Sequence, residues 1–206
     1  MGKTTFLLQY AKEKFGTDRS CLFINMNNFY FSGHSIVDFA YEFQRRGGKV
    51  LLIDQVFKHP DWSKELRLCY DRFPNLKIVF TGSSVMRLKE ENLELRDIVK
   101  SYNLRGFSFR EYLNLQTGMK FRSYSLEEIL SNHEQIAKGI LSKVRPLDHF
   151  QDYMHHGFYP FFLEKRNFSE NLLKTMNMMV EVDILLIKQI ELKYLSKIKK
   201  LLYFLA

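Results

Sequence analysis

Residues 49–54 read Lys-Val-Leu-Leu-Ile-Asp, four consecutive branched apolar side chains closed by an acid. A strand with one wetted face alternates apolar and polar residues. A strand that is apolar on both sides must be covered on both, as in a parallel sheet sandwiched between helices. The neighbouring segments suit that arrangement. Cys21-Leu22-Phe23-Ile24-Asn25 and Leu76-Lys77-Ile78-Val79-Phe80 are short strand candidates, and Tyr102-Asn103-Leu104 reads as a short final strand. Helical patterns lie between them. Gly2 to Phe15 sets Phe6, Leu7, Tyr10 and Ala11 on one face, and Ser35 to Arg46 is stopped by Gly47-Gly48. A third helix opens at Pro60-Asp61 and runs to about Phe73. This alternation with short loops predicts an α/β fold.

Beyond residue 104 the strand signals end. Ser108 and Glu111 form a Ser-x-x-Glu capping box, with Phe107 and Tyr112 placed as a hydrophobic staple, and Ser125 and Glu128 repeat the box for a helix to about Lys143. The rest reads as helical to Ala206. The expected division is an α/β core over residues 1–118 and a helical region over 119–206.

The 46% apolar and 26% charged residues are those of an ordinary globular chain. No apolar run approaches the roughly 18 residues of a membrane span. Phe6-Leu7-Leu8 gives way at once to Gln9 and Lys12, unlike a signal peptide. Cys21 and Cys69 are too far apart in sequence to suggest a metal motif, and a cytoplasmic location is expected. The net charge of +8 admits an anionic partner such as nucleic acid. Scattered Lys and Arg are also the ordinary dress of a solvated surface, and Lys197/Lys199/Lys200 and Arg45/Arg46 are small clusters without a nucleic-acid motif.

The chemistry concentrates at three places. Gly2-Lys3-Thr4-Thr5, directly followed by a helix, is the closing part of the P-loop pattern G-x-x-x-x-G-K-[ST]. Glycine lets backbone close around phosphate, the helix N-terminus presents amides and positive dipole, Lys3 reaches the β- and γ-phosphates, and Thr4 sets its hydroxyl on magnesium. Asp54, at the end of its apolar strand, fits the Walker B acid that serves the same ion. At the third strand end, Phe80-Thr81-Gly82-Ser83-Ser84 offers hydroxyls where a γ-phosphate or attacking water is sensed, or simply a polar turn with a Ser helix cap. Gly2, Lys3, Thr4 and Thr5 are thus the candidate ATP-binding residues, Thr4 and Asp54 the candidate Mg2+ residues, and Gln55, Ser83 and Ser84 the candidate catalytic ones.

These motifs, with His59-Pro60-Asp61-Trp62, Leu104-Arg105-Gly106-Phe107-Ser108-Phe109-Arg110-Glu111-Tyr112-Leu113 and, more loosely, His156-Gly157-Phe158-Tyr159-Pro160, make the chain resemble prokaryotic AAA+ ATP-binding proteins of the archaeal-ATPase type, which carry a C-terminal domain of unknown function. The resemblance covers nearly the whole chain. It implies a P-loop NTPase (AAA+-like) parallel sheet of five strands flanked by helices, a helical lid, and further C-terminal sequence. Residues 1–118 would then be a nucleotide-binding core, and 119–206 the lid with the start of a C-terminal region. By position it assigns Lys3 and Thr4 to phosphate and magnesium, Asp54 to magnesium, and Thr81 to Ser84 to the sensor turn.

Two departures stand out. Gln55 follows Asp54 where the resemblance implies Glu, and a neutral amide accepts no proton at physiological pH, so hydrolysis is expected to be impaired more than nucleotide affinity. Phe57 also stands where a polar residue is commoner. Secondly, the chain begins inside the loop pattern, without the strand that precedes it, and stops within the apolar run Leu201 to Leu205; both ends read as cuts. Weak ATP binding and open sheet edges are the expected consequences.

Other features have ordinary explanations. His155 and His156 are adjacent, which on a helix points them apart, and Met176, Met178 and Met179 read as helix core. Arg96, Arg105 and Arg110 are read as surface or capping residues ahead of an arginine finger acting across a subunit interface. The leading expectation is an ATP-binding AAA+-type protein whose parent fold is an Mg-ATP-dependent ATPase, with self-association left open. The alternative is a non-hydrolysing interaction module that binds nucleic acid or protein through its basic surface.

Overall fold

The computed structural model describes residues 2–83, 92–164 and 167–205. They divide into two compact units, residues 2–103 with 173–206, and residues 104–172.

The first unit is built on three parallel strands, β1 (Cys21–Asn25), β2 (Val50–Asp54) and β3 (Lys77–Phe80), in the order β1-β2-β3. Register pairs Asn25 with Asp54, and Ile53 with Phe80, so the carboxyl ends of the three strands lie together. All five residues of β2 are buried, as two covered faces demand. Val50 and Leu52 meet Leu7 of α1 (Lys3–Lys14) on one face, with Tyr10, Ala11 and Phe15 packed around them. Leu51 and Ile53 join Ile36, Val37 and Ala40 of α2 (Ile36–Arg45) and Leu66 and Cys69 of α3 (Trp62–Arg72) on the other. The result is a three-layer α/β arrangement.

The helix ends follow the sequence signals closely. Ser35 accepts the Asp38 amide at 2.9 Å to start α2. Gly47, at φ 87°, ends it: its amide donates to Gln44 and that of Gly48 to Phe43, at 2.9 and 3.0 Å. A left-handed residue closing two such bonds is a Schellman stop. At Gly48, a Cβ would lie 2.4 Å from the Phe43 ring. The third helix begins at Trp62, two residues after Pro60, with Asp61 in the left-handed region at φ 51°.

One strand expectation fails. Tyr102, Asn103 and Leu104 form no strand; Tyr102 is 78% and Leu104 44% exposed, and without a covering layer the apolar pair gains nothing from pleating into a sheet. The sheet has three strands among the described residues, where the resemblance implies five.

The unit of residues 104–172 contains α4 (Phe109–Thr117), α5 (Leu126–Leu141) and α6 (Pro146–Asp152), followed by a π-helical turn (Tyr153–Gly157). Both capping boxes form. The Ser108 and Ser125 amides donate to Glu111 and Glu128 at 2.8 Å, and the glutamate amides return to the serine hydroxyls at 3.3 and 3.1 Å. Phe107 and Tyr112 each pack a ring against Phe162. Arg110 donates to the Phe121 carbonyl at 3.2 Å, an intramolecular structural role. The helix α7 (Phe168–Met178) is followed in sequence by a second π-helical stretch (Met179–Ile184). Met176 and Met178 are 44% and 59% exposed, which corrects their reading as core. No helix among the described residues is long and apolar enough to cross a membrane.

Candidate functional site

The carboxyl ends of β1, β2 and β3 and the first turn of α1 converge on Asp54. The residue is 1% exposed. Thr4 Oγ1 donates to Oδ2 at 2.8 Å, Asn25 Nδ2 donates to the same oxygen at 3.0 Å, and Thr81 Oγ1 donates to Oδ1 at 2.5 Å. Among the described residues no Lys or Arg forms an ion pair with it. A buried carboxylate is costly unless its oxygens are bonded, and here both oxygens are bonded by neutral donors.

Backbone bonds fix the surroundings. The Thr81 amide donates to the Ile53 carbonyl at 2.9 Å, the Met26 amide to Asp54 at 3.1 Å, and the Val56 amide to Thr81 at 3.0 Å. Gln55 leaves β2 in the left-handed region, at φ 55° and ψ 44°, and its amide donates to Thr81 Oγ1 at 3.0 Å. A non-glycine residue held there costs on the order of 1 kcal/mol, which the two bonds to Thr81 sustain.

Gly2 stands ahead of α1 at φ 77°, a conformation that suits a residue without Cβ, and its carbonyl accepts the Phe6 amide at 2.9 Å. Lys3 is half-buried and opens the helix; Thr4 and Thr5 are exposed residues in its first turn. The structure therefore brings Thr4, Asp54 and the Gln55 backbone into one network. Ser83 is directed elsewhere: its hydroxyl donates to Asp183 Oδ2 at 2.5 Å, from the second π-helical stretch of the same unit. Ser84 lies outside the described residues.

Sequence reasoning passed over Asn25, which it read only as the last residue of a strand. It also passed over Asp183, which belongs to no motif.

The donor set has a definite chemistry. Thr4 gives its proton to Asp54 and keeps its oxygen lone pairs available, so a hydroxyl and a carboxylate oxygen lie side by side. Hard oxygen donors of this kind suit Mg2+, which takes one or two protein oxygens and completes its shell with water and phosphate. Among the described residues no group of three or more His, Cys, Asp or Glu side chains forms a ligand cluster. His155 and His156 approach to 3.3 Å between Nδ1 atoms, because a π-helical turn brings adjacent side chains closer than the α-helical expectation, and they gain no third ligand of that kind. A cavity of about 360 Å3 in the unit of residues 104–172, lined by Arg122, Tyr124, Glu128, Asn132, Gln135 and Ile136, includes none of the Asp54 network.

The chain is 30% identical to an uncharacterized protein of Methanocaldococcus jannaschii over its full length, and it spans about half of that relative, 46%. No solved structure gives a significant match. The model of a family described as "AAA domain" matches residues 1–113, which include α1, all three strands and Asp54 with its partners. The chain belongs to this AAA domain family, which suggests a nucleotide-binding, ATPase-like function.

Proposed function

We propose that this chain binds ATP with Mg2+ at the junction of α1 and the carboxyl ends of the sheet, and that hydrolysis is impaired by Gln55. In this reading Gly2, Lys3, Thr4 and Thr5 are the closing part of a P-loop, and Asp54 is the Walker B acid. The opening amides of α1 and the Lys3 ammonium meet phosphate oxygens, and the Thr4 hydroxyl and Asp54 carboxylate face the cation. Bound Mg2+ would neutralise charge on the phosphates. One observation carries the reading: the buried Asp54 carboxylate accepts the Thr4 hydroxyl at 2.8 Å, joining two motifs 50 residues apart. Nothing in helix packing alone requires a buried carboxylate at that junction.

Hydrolysis needs a group that orients the attacking water and takes its proton. Gln55 occupies the position next to Asp54 and supplies an amide, which holds water but accepts no proton. The proposed activity is therefore nucleotide binding with slow turnover.

The test is calorimetric or fluorescence titration with ATP, with and without Mg2+, on these 206 residues and on the protein with whatever its gene encodes ahead of Met1. Lys3→Ala and Asp54→Ala are each expected to lower magnesium-dependent binding at least tenfold. Binding that ignores both substitutions, or no binding in the longer protein, overturns the proposal. Salt-sensitive DNA binding without nucleotide would replace it with an interaction module acting through the basic surface.

A further inference from the structure

We propose that Asn25 is a positioning residue of this site, fixing Oδ2 of Asp54 beside the Thr4 hydroxyl so that both oxygens face one divalent cation. The inference rests on the magnesium-nucleotide reading above and adds a residue to it.

Asn25 is the last residue of β1 and lies directly across the ladder from Asp54. Both ends of its amide are committed. Oδ1 accepts the Asn27 amide at 2.8 Å, which sets the orientation of the group, and Nδ2 is thereby aimed at Asp54 Oδ2 at 3.0 Å. The two carboxylate oxygens are distinguished as a result: Oδ1 takes the buried Thr81 hydroxyl, and Oδ2 takes Asn25 and Thr4. One anchored oxygen leaves a carboxylate free to rock about its Cβ–Cγ bond. A second anchor on the other oxygen stops it. The Thr4 proton is a poor second anchor by itself, since it belongs to an exposed residue in the first turn of a helix. Asn25 sits in the sheet and has its own backbone brace.

Groups that hold a metal-facing oxygen in place typically alter metal affinity by about 10- to 100-fold when removed. The effect expected of Asn25 is therefore on magnesium, with nucleotide affinity in the absence of metal left alone. A fluorescent ATP analogue is titrated in EDTA and across a Mg2+ series with the wild-type protein, Asn25→Ala and Asn25→Asp, and thermal midpoints are recorded alongside. Asn25→Ala is expected to raise the Mg2+ midpoint about tenfold, with metal-free affinity within about twofold of wild type. Asn25→Asp keeps the shape and the Asn27 brace but exchanges the donor for a second carboxylate. It is expected to lower the Mg2+ midpoint and to weaken metal-free binding of the anionic nucleotide, because its negative charge attracts the cation and repels the phosphates.

A purely structural role, in which Asn25 only braces Asn27, gives a folded Asn25→Ala protein with a lowered thermal midpoint and the wild-type Mg2+ midpoint, and that result overturns the inference. Failure of the underlying reading looks different: wild-type protein would bind nucleotide without magnesium dependence, or with no loss in Lys3→Ala.

Discussion

At the scale of single residues, Thr81 has two simultaneous duties, since its one hydroxyl donates to the buried Asp54 carboxylate and accepts the Gln55 amide. Thr81→Val removes both bonds at little change in volume. One involves a charged group and one leaves an amide without its partner, so destabilisation of about 3 kcal/mol is expected. Thr81→Ser keeps the hydroxyl and is expected to cost about 1 kcal/mol, for the lost methyl. Denaturant unfolding of the two variants measures the difference; equal losses would show that the bonds contribute little. Gln55 is argued at the same scale. Installing a carboxylate there with Gln55→Glu is expected to raise ATP turnover about 100-fold, with affinity changed less, as read by phosphate release from protein carrying whatever its gene encodes ahead of Met1. Unaltered turnover counts against Gln55 as the cause of slow hydrolysis. Thr4 and Asp54 were legible in the sequence because each belongs to a motif with fixed spacing. Asn25 was not, because its role depends on register across a parallel ladder, which no local pattern records. The left-handed backbone of Gln55 was equally hidden, since only Gly or Asn would have announced it.

At the scale of elements, the signals that worked were those with a local physical cause. Both capping boxes form because a hydroxyl, a carboxylate and two amides are within reach of one another in a single turn. This gives a pH prediction. The Ser108 hydroxyl and amide hold the Glu111 carboxyl below its ordinary 4.5. A carboxyl depressed in the folded state contributes fully above its unfolded value and progressively less as pH falls through its folded one. Helix α4 is therefore expected to lose support below about pH 4.5, and Glu111→Gln to flatten that part of the stability curve, as followed by thermal melts monitored by circular dichroism. Ser108→Ala is expected to cost about 1 kcal/mol. A curve of unchanged steepness in Glu111→Gln would remove the box from the account. The misread elements lacked such a local cause. Tyr102 to Leu104 has strand-like residues, and Met176 and Met178 have helical spacing, yet both sets are exposed. Burial on one face depends on what the rest of the chain brings to it, so apolar spacing alone overstates the core.

At the scale of the whole molecule, the two cysteines report on the sheet unit, since Cys21 lies in β1 and Cys69 in the buried face of α3. Burial, with the Glu65 charge adding to it, pushes the Cys69 thiol up to about 12, and burial raises Cys21 as well. At pH 8 the folded Cys69 is almost wholly thiol and fully covered, so alkylation has to pass through an open state in which the residue regains an ordinary thiolate fraction. Cys21 is only partly covered and reacts from the folded molecule. A ligand that binds the closed unit alone lowers the open population by the factor 1 + [L]/Kd, so that nucleotide at ten times its Kd slows labelling of Cys69 about tenfold. Cys21 has no such dependence on opening and serves as the internal reference. Thr4→Ala and Asp54→Asn are expected to abolish the protection of Cys69 without changing the rate at Cys21. Cys69 lies across the sheet layer from α1 and is absent from the Asp54 network, so slowed labelling there cannot come from direct shielding by bound nucleotide. Protection confined to the Mg2+-containing sample would tie closure of the whole unit to the cation at Asp54. A Cys69 rate that does not respond to saturating nucleotide would mean that nucleotide binding, if present, is not linked to the folding of this sheet.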